Sequence, residues 1–420
     1  MKNRLARSSI KTTIWLSLRI GTQAIVLVQL TRLFGPRIFG DFTAAASLAL
    51  VLGMLPTLGA GFIMLARNAH DANGIRNVWR YAWPTTISFG TILLAAYVFL
   101  ASLISNLPLP THVLLAIGAS ELLLTPLTYL ASYALQACDM VPLSQFVQWI
   151  PLGFRTLAAL PCFLLAKPER LVAYVSLQLI TASIGVLIAL AVVNRFVSLD
   201  WRPRFATRQE LREGASYAVM NLVAANPSEL DKIIALRIVG AHDTGIYATT
   251  SRVMASGVTP VIGMLLASQP RLFRHAHTRT REGGRLVRFI ALSSLGWGVI
   301  SGLLLTVCSP ILPWLFGAPY AATAHLMPWM AVTAPLLSLR IAAGSVLVAF
   351  GKPMERLAFE LLGILILVLG MLLLAPFYQT HGLAMALSFA EASMAAAGWF
   401  LVSRQLASNT YSTTIKPSNL

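Results

Sequence analysis

Residues 228–240, just past the middle of the chain, read SELDKIIALRIVG. Asp231 brings a carboxylate that can exchange a proton or hold a cation. Lys232 and Arg237 bring positive charge, and the remaining residues make the stretch apolar enough to read as membrane-crossing. Similar apolar stretches elsewhere carry Arg19, Arg155, Arg252 and Arg340, together with Glu121, Glu229, Glu360 and Glu391. An ionisable residue at mid-membrane costs about 2.5–3.5 kcal/mol on insertion scales, so such residues face a wet cavity or an ionic partner rather than lipid. Guanidinium forks pair with phosphate oxygens in a bidentate way that an ammonium cannot copy. Arg19, Arg155, Lys232, Arg252 and Arg340 are therefore candidates for a cationic cavity that binds an anionic headgroup. Asp231, Glu121 and Glu391 are candidates for a coupling proton or cation. For the arginines the alternative is pairing with Glu121, Glu391 or backbone carbonyls to hold helices together, and for Asp231 an ion pair with Lys232 or with a neighbouring helix. Arg237 stands near the outer end of its helix, where snorkelling explains it.

The elements that position these charges follow from composition. Of 420 residues, 57% are hydrophobic and 11% charged, with a mean hydropathy of +0.72, which excludes a soluble domain of ordinary composition. Apolar stretches of spanning length fall near 12–33, 42–66, 81–105, 112–135, 145–166, 171–194, 213–238, 245–270, 286–308, 321–348, 357–376 and 381–403. This predicts an all-α polytopic membrane protein of about twelve helices. A net charge of +17 suggests nucleic acid at first sight, but its distribution assigns it elsewhere. With a cytoplasmic N-terminus, 22 cations fall in inner segments and four (Arg32, Arg37, Lys167, Arg170) in outer ones. The positive-inside rule then puts both termini in the cytoplasm, and no nucleic-acid partner is expected. The basic start followed by a full-length span reads as a first transmembrane helix rather than a cleavable signal. Cys138, Cys162 and Cys308 form no CxxC pair and read as packing residues. No HExxH or phosphate-binding loop occurs, so neither a metal nor a cofactor is expected.

The chain repeats itself. RLFGPRIFGDF (32–42) and RIVGAHDTGIY (237–247) share Arg, Gly, Gly and an aromatic at a constant offset of 205. GMLPTLG (53–59) is answered by GVTPVIG (257–263) at an offset of 204. The first motif reads as a tight outer turn between helices. The second places Pro56 and Pro260 inside helices, where they should bend the second span of each half as hinges. Pro227 should interrupt the seventh helix. Six helices separate the copies, so the halves share an orientation and are related by a pseudo-two-fold axis near the membrane normal. The expected division is a six-helix bundle at 1–204 and another at 205–420. By the offsets, Arg19 corresponds to Ala224 and Arg252 to Ser47 or Leu48, so these charges are asymmetric additions to a symmetric scaffold.

Gly35, Gly40 and Phe42, Asp231, Gly240, Gly245 and Tyr247, and Pro270-Arg271 together form a pattern that resembles the polysaccharide transporters. These are the O-antigen (Wzx-type) lipid-linked oligosaccharide flippases of the multidrug/oligosaccharidyl-lipid/polysaccharide exporter superfamily. LQACDMVPLSQ (135–145) and HGLAMALSFAEA (381–392) also sit where that family has similar segments. The resemblance implies two six-helix bundles around a cavity that opens alternately to either side. It implies a non-enzymatic function, with an undecaprenyl-pyrophosphate-linked oligosaccharide moved from the inner to the outer leaflet of a bacterial inner membrane. Membrane lipid is then a partner, and polysaccharide polymerase machinery a candidate one. Two rivals remain. A multidrug or cation antiporter of the same superfamily commonly uses an acid in the first helix, and 12–33 contains none. A membrane-embedded polysaccharide polymerase or ligase usually carries a sizeable outer loop, whereas every outer loop expected here is about a dozen residues or fewer.

Overall fold

The computed structural model describes residues 2–68, 74–104, 108–197, 199–225, 227–278 and 281–411. Among them there are helices and turns and no strand. Contacts divide the chain into two compact units, 1–245 and 246–420. Among the described residues, six helices are long and apolar enough to cross a membrane, or seven if the bent pair Ala318–Ala331 and Thr333–Ala349 is one span. Three of the longest continuous helices each fold back at a single non-helical residue, at Gly35, Gly240 and Gln379. Divided there, the described residues make twelve principal helices, some of them in two pieces, labelled here α1 to α12.

The first unit opens with α1 (2–34) and turns at Gly35, whose φ of 70° is left-handed and therefore suits glycine. Pro36 starts α2, where its missing N–H belongs to the unbonded first turn anyway. α2 runs over 36–52, breaks at 53–59 and resumes at Ala60–Asn68. Then come α3 (Gly74–Leu103), α4 (Thr111–Ala137), α5 (Val141–Cys162) and α6 (Arg170–Phe196). α4 contains one widened π turn at Ser120–Leu124. α7 comprises Arg208–Ala225 and, beyond Asn226, which lies outside the described residues, 227–239. The core of this unit gathers Trp79, Leu130, Leu135, Val147 and Val193 from α3 to α6. Beside the turn at Gly35, Phe34, Phe42 and Tyr174 meet with ring centroids 5.6–5.8 Å apart.

The second turn of the repeat lies at Gly240, with φ 80° and ψ 175° against 70° and 172° at Gly35. α8 (241–278) begins there, and its first residues, to Gly245, still belong to the first unit. The two copies of the motif pack on each other reciprocally. A Cβ on Gly40 would fall on the carbonyl oxygen of Ala241, and one on Gly245 would fall on that of Pro36. At the repeat offset Pro36 corresponds to Ala241 and Gly40 to Gly245. Each glycine therefore makes room for the backbone that the other copy contributes, which is the signature of a two-fold contact.

In the second unit, α9 (Arg281–Val307) leads through short turns at Ser309–Ile311, Leu312–Phe316 and Ala318–Tyr320 into α10. α10 comprises Ala322–Ala331 and Thr333–Ala349, and the span it completes bends by 49°. α11 (353–378) and α12 (380–411) fold back at Gln379, φ 51°.

The prolines of the second motif behave differently in the two copies. Buried Pro56 lies in the break of α2, where Leu58 (φ 41°) and Gly59 (φ 67°) end the helix outright. Exposed Pro260 lies within α8, which shows no non-helical residue beyond Gly240. The expected paired bend is thus a break in one copy and a continuous helix in the other. A proline removes one backbone hydrogen bond, and residues that turn left-handed beside it complete the break.

Candidate functional site

Within the first unit α1, α2, α4 and α5 enclose a cavity of about 280 Å³. Arg19 and Gln23 enter from α1, one turn apart. Glu121, Thr125, Thr128 and Tyr129 enter from α4, and Gln148, Leu152 and Arg155 from α5. Residues spaced by four and seven share a helix face, so each helix presents one polar stripe to the cavity. The break in α2 supplies the remaining wall with Leu50, Gly53 and Met54. Three of the charges expected from sequence to act on substrate or coupling ion, Arg19, Glu121 and Arg155, are therefore together.

Each has a defined partner. Glu121, 4% exposed and seated in the π turn of α4, forms a close ion pair with the Nη2 of Arg155. Thr125 Oγ1 donates to the other carboxylate oxygen of Glu121 at 3.4 Å. Arg19 donates through Nη1 to Oε1 of Gln148 at 2.9 Å. Gln148 donates from Nε2 to Ser132 Oγ at 2.7 Å. Ser132 and Ser144 hydroxyls are 3.0 Å apart, and Gln136 Nε2 donates to Ser144 Oγ at 2.9 Å. Trp149 Nε1 donates to Thr22 Oγ1 at 3.0 Å, and Trp15 packs its ring 4.9 Å from Phe146 and 5.6 Å from Trp149. A polar ladder thus joins α1, α4 and α5 beside the cavity. With two guanidiniums and one carboxylate on its wall, the cavity carries one net positive charge.

The other candidates lie elsewhere. Asp231 and Lys232 are buried in the 227–239 part of α7, with Lys232 Nζ 3.1 Å from Asp231 Oδ1 and 3.6 Å from Glu229 Oε2. Ser47 Oγ donates to that same Glu229 oxygen at 2.6 Å. Pro227 is the first described residue beyond Asn226. In the second unit Arg340 donates through Nε to Glu391 Oε2 at 2.6 Å, and its Nη1 lies 3.8 Å from Glu360 Oε1. Arg356 Nε donates to the same Glu360 oxygen at 2.9 Å. Arg340, Glu360 and Glu391 are all buried, one each on α10, α11 and α12. Arg252 lies half-buried on α8. Among the aromatic residues, Trp15 packs beside the ladder, Tyr217 stacks on Phe62 at 5.6 Å, and Tyr247 is fully buried.

Reading depth and charge alone overlooks the neutral members of the site: Gln23, Thr125, Thr128, Tyr129 and, above all, Gln148. The available signal was their spacing from the charges, since Gln148 precedes Arg155 by two turns on the same face of α5.

The family model described as polysaccharide biosynthesis protein matches residues 6–276. Among solved structures, the chain is similar to a multidrug resistance MATE family transporter of the MOP superfamily in an inward-facing conformation. That likeness has a TM-score of 0.79 at 12% identity and covers 96% of this chain and 99% of the other. The outward-facing conformation of a multidrug resistance MATE family transporter gives 0.67 at 14% identity, covering 97% and 96%. The lipid II flippase MurJ, in an inward closed conformation, gives 0.72 at 12% identity, covering 97% and 94%. A comparison with curated proteins finds no match. At these identities the structural likeness is one of fold.

Proposed function

The chain belongs to the polysaccharide biosynthesis protein family, and from that premise we propose that it is a flippase for polyprenyl-pyrophosphate-linked oligosaccharide. It moves this lipid from the inner to the outer leaflet of a bacterial inner membrane for O-antigen, capsule or exopolysaccharide assembly, with both termini cytoplasmic. The observation that carries the reading is the cavity in which Arg19 and Arg155 stand among hydroxyl, carboxamide and aromatic groups. Ligand pockets commonly enclose about 300–1,000 Å³. A cavity of about 280 Å³ suits a charged headgroup and its nearest sugar rather than a whole oligosaccharide. The polyprenyl tail stays in lipid, since its transfer into a polar site would forfeit the hydrophobic effect. A cationic drug would meet the net positive charge of the same wall.

In this reading the repeat halves, 1–204 and 205–420, alternate access by rocking, and Pro56, Pro227 and Pro260 mark where α2, α7 and α8 flex. Asp231, held beside Lys232 on α7, is the proposed coupling site. Polysaccharide polymerase machinery would act on the flipped product. Deleting the gene and measuring surface polysaccharide together with inner-leaflet lipid-linked oligosaccharide tests the reading. Loss of the first with accumulation of the second is expected. Unchanged pools with new sensitivity to toxic cations would assign the chain to drug export.

A further inference from the structure

The two cavity arginines are held by partners of different charge. Arg155 meets a carboxylate, that of Glu121. Arg19 meets a neutral carboxamide, that of Gln148, whose own orientation is fixed by its donation to Ser132 and, through Ser144, by Gln136. A carboxylate both aims a guanidinium and cancels its charge. A carboxamide oxygen aims it and leaves the charge intact, with the remaining N–H groups able to donate. The carboxamide of Gln148 also has a defined sense. Rotating it would turn N–H groups toward Arg19, which has no acceptor, and would remove the donor from Ser132.

We infer that Arg19 is the anchor for a diphosphate group and that Gln148 is its positioning residue, while Glu121 neutralises Arg155 and so sets how tightly the anion is held. The inference rests on the proposed function for the identity of the lipid that carries the diphosphate. It does not rest on it for anion binding. The geometry makes two substitutions of opposite sense informative. Gln148→Glu places a negative charge within hydrogen-bonding distance of Arg19 and weakens binding by at least about tenfold, as expected for an added charge close to the site at an effective dielectric constant near 20. Glu121→Gln removes the charge that cancels Arg155 and tightens binding. The double variant restores the net charge and returns affinity toward that of the parent.

The test measures binding of inorganic pyrophosphate by calorimetry to the full-length protein in neutral-lipid nanodiscs, across a range of salt. Gln148→Leu should weaken binding and keep the parent's salt dependence, because the charges remain and only the aim is lost. Gln148→Glu should weaken it and flatten that dependence. If Glu and Leu at position 148 lose affinity equally with the same salt slope, and Glu121→Gln also weakens binding, the ladder is scaffold and the inference fails. No pyrophosphate binding by the parent protein also overturns it. Competition with a short-chain polyprenyl diphosphate separates the two sources of the anion. Displacement at lower lipid concentration supports both readings. Binding of the inorganic ion without the lipid keeps the anchor at Arg19 and overturns the flippase.

Discussion

Arg340 and Arg155 read alike in sequence, each an arginine deep in an apolar helix, and they do different work. Arg340 is buried between Glu391 and Glu360, and Arg356 completes a chain of alternating charge across α10, α11 and α12. Breaking a buried pair from one side costs about 3–5 kcal/mol, whereas replacing both partners with apolar groups is often neutral or better. Arg340→Leu should therefore lower the thermal stability of the protein in detergent markedly, and Arg340→Leu/Glu391→Leu should recover most of it. A double variant that is stable yet cannot flip substrate would show instead that Arg340 touches the cargo. Arg155 pairs with a carboxylate that also lines the cavity, so its removal should cost anion binding as well as stability, because it leaves buried Glu121 without its ion-pair partner. Sequence placed Arg155, Arg340, Glu360 and Glu391 inside the membrane, because the cost of burying charge is legible from hydropathy, and put Arg356 in the basic segment before the apolar stretch at 357–376. It left open whether they face a cavity or one another, because that depends on which helices are neighbours. Neutral Gln148 carries no comparable penalty and so left no mark.

At the scale of elements, the start of α7 is fixed by side chains that sequence signals well. Thr207 and Glu210 form a capping box, with Thr207 N–H to Glu210 Oε2 at 2.9 Å and Glu210 N–H to Thr207 Oγ1 at 3.3 Å. Arg204 grips the same carboxylate with both Nη atoms, at 2.9 and 3.0 Å, and lies over the ring of Tyr81. The basic segment before α7 is therefore tied to the N-terminal end of α3. The outer turns were equally legible, since only glycine suits the φ of 70° and 80° found at residues 35 and 240. What could not be read was their mutual contact, because nothing in either motif says that its partner is the other copy. Gly245→Ala should force the Pro36 carbonyl aside, and overpacking of this kind costs about 1–3 kcal/mol. Reduced thermal stability and slowed transport are expected in Gly245→Ala and likewise in Gly40→Ala. A Gly245→Ala protein with parental melting and flux would show that the contact opens freely. The fate of the two prolines was not legible either, since the break at Pro56 depends on Leu58 and Gly59 turning left-handed beside it.

At the scale of the whole molecule, the distribution of cations predicts the topology. In a Cys308→Ala background, an impermeant maleimide applied to spheroplasts should label Ala318→Cys, in the segment that follows α9, and spare Lys352→Cys until the membrane is opened. The reverse pattern would invert the assigned orientation. Native Cys138 adds little signal at neutral pH, because burial, and then Asp139, push its thiol above the ordinary value and keep thiolate scarce. Its labelling should speed up as pH rises. The reciprocal contact of Gly40 and Gly245 bears on how such a chain can change over time. Each glycine is required by the backbone of the other copy, so neither turn can drift alone: a side chain gained in one is a collision suffered by the other. The helix interiors are under no such mutual obligation, and there Arg19 faces only Ala224 as its counterpart. A duplicated chain tethered at its turns in this way is free to let one copy's interior diverge while the contact between the turns stays in place.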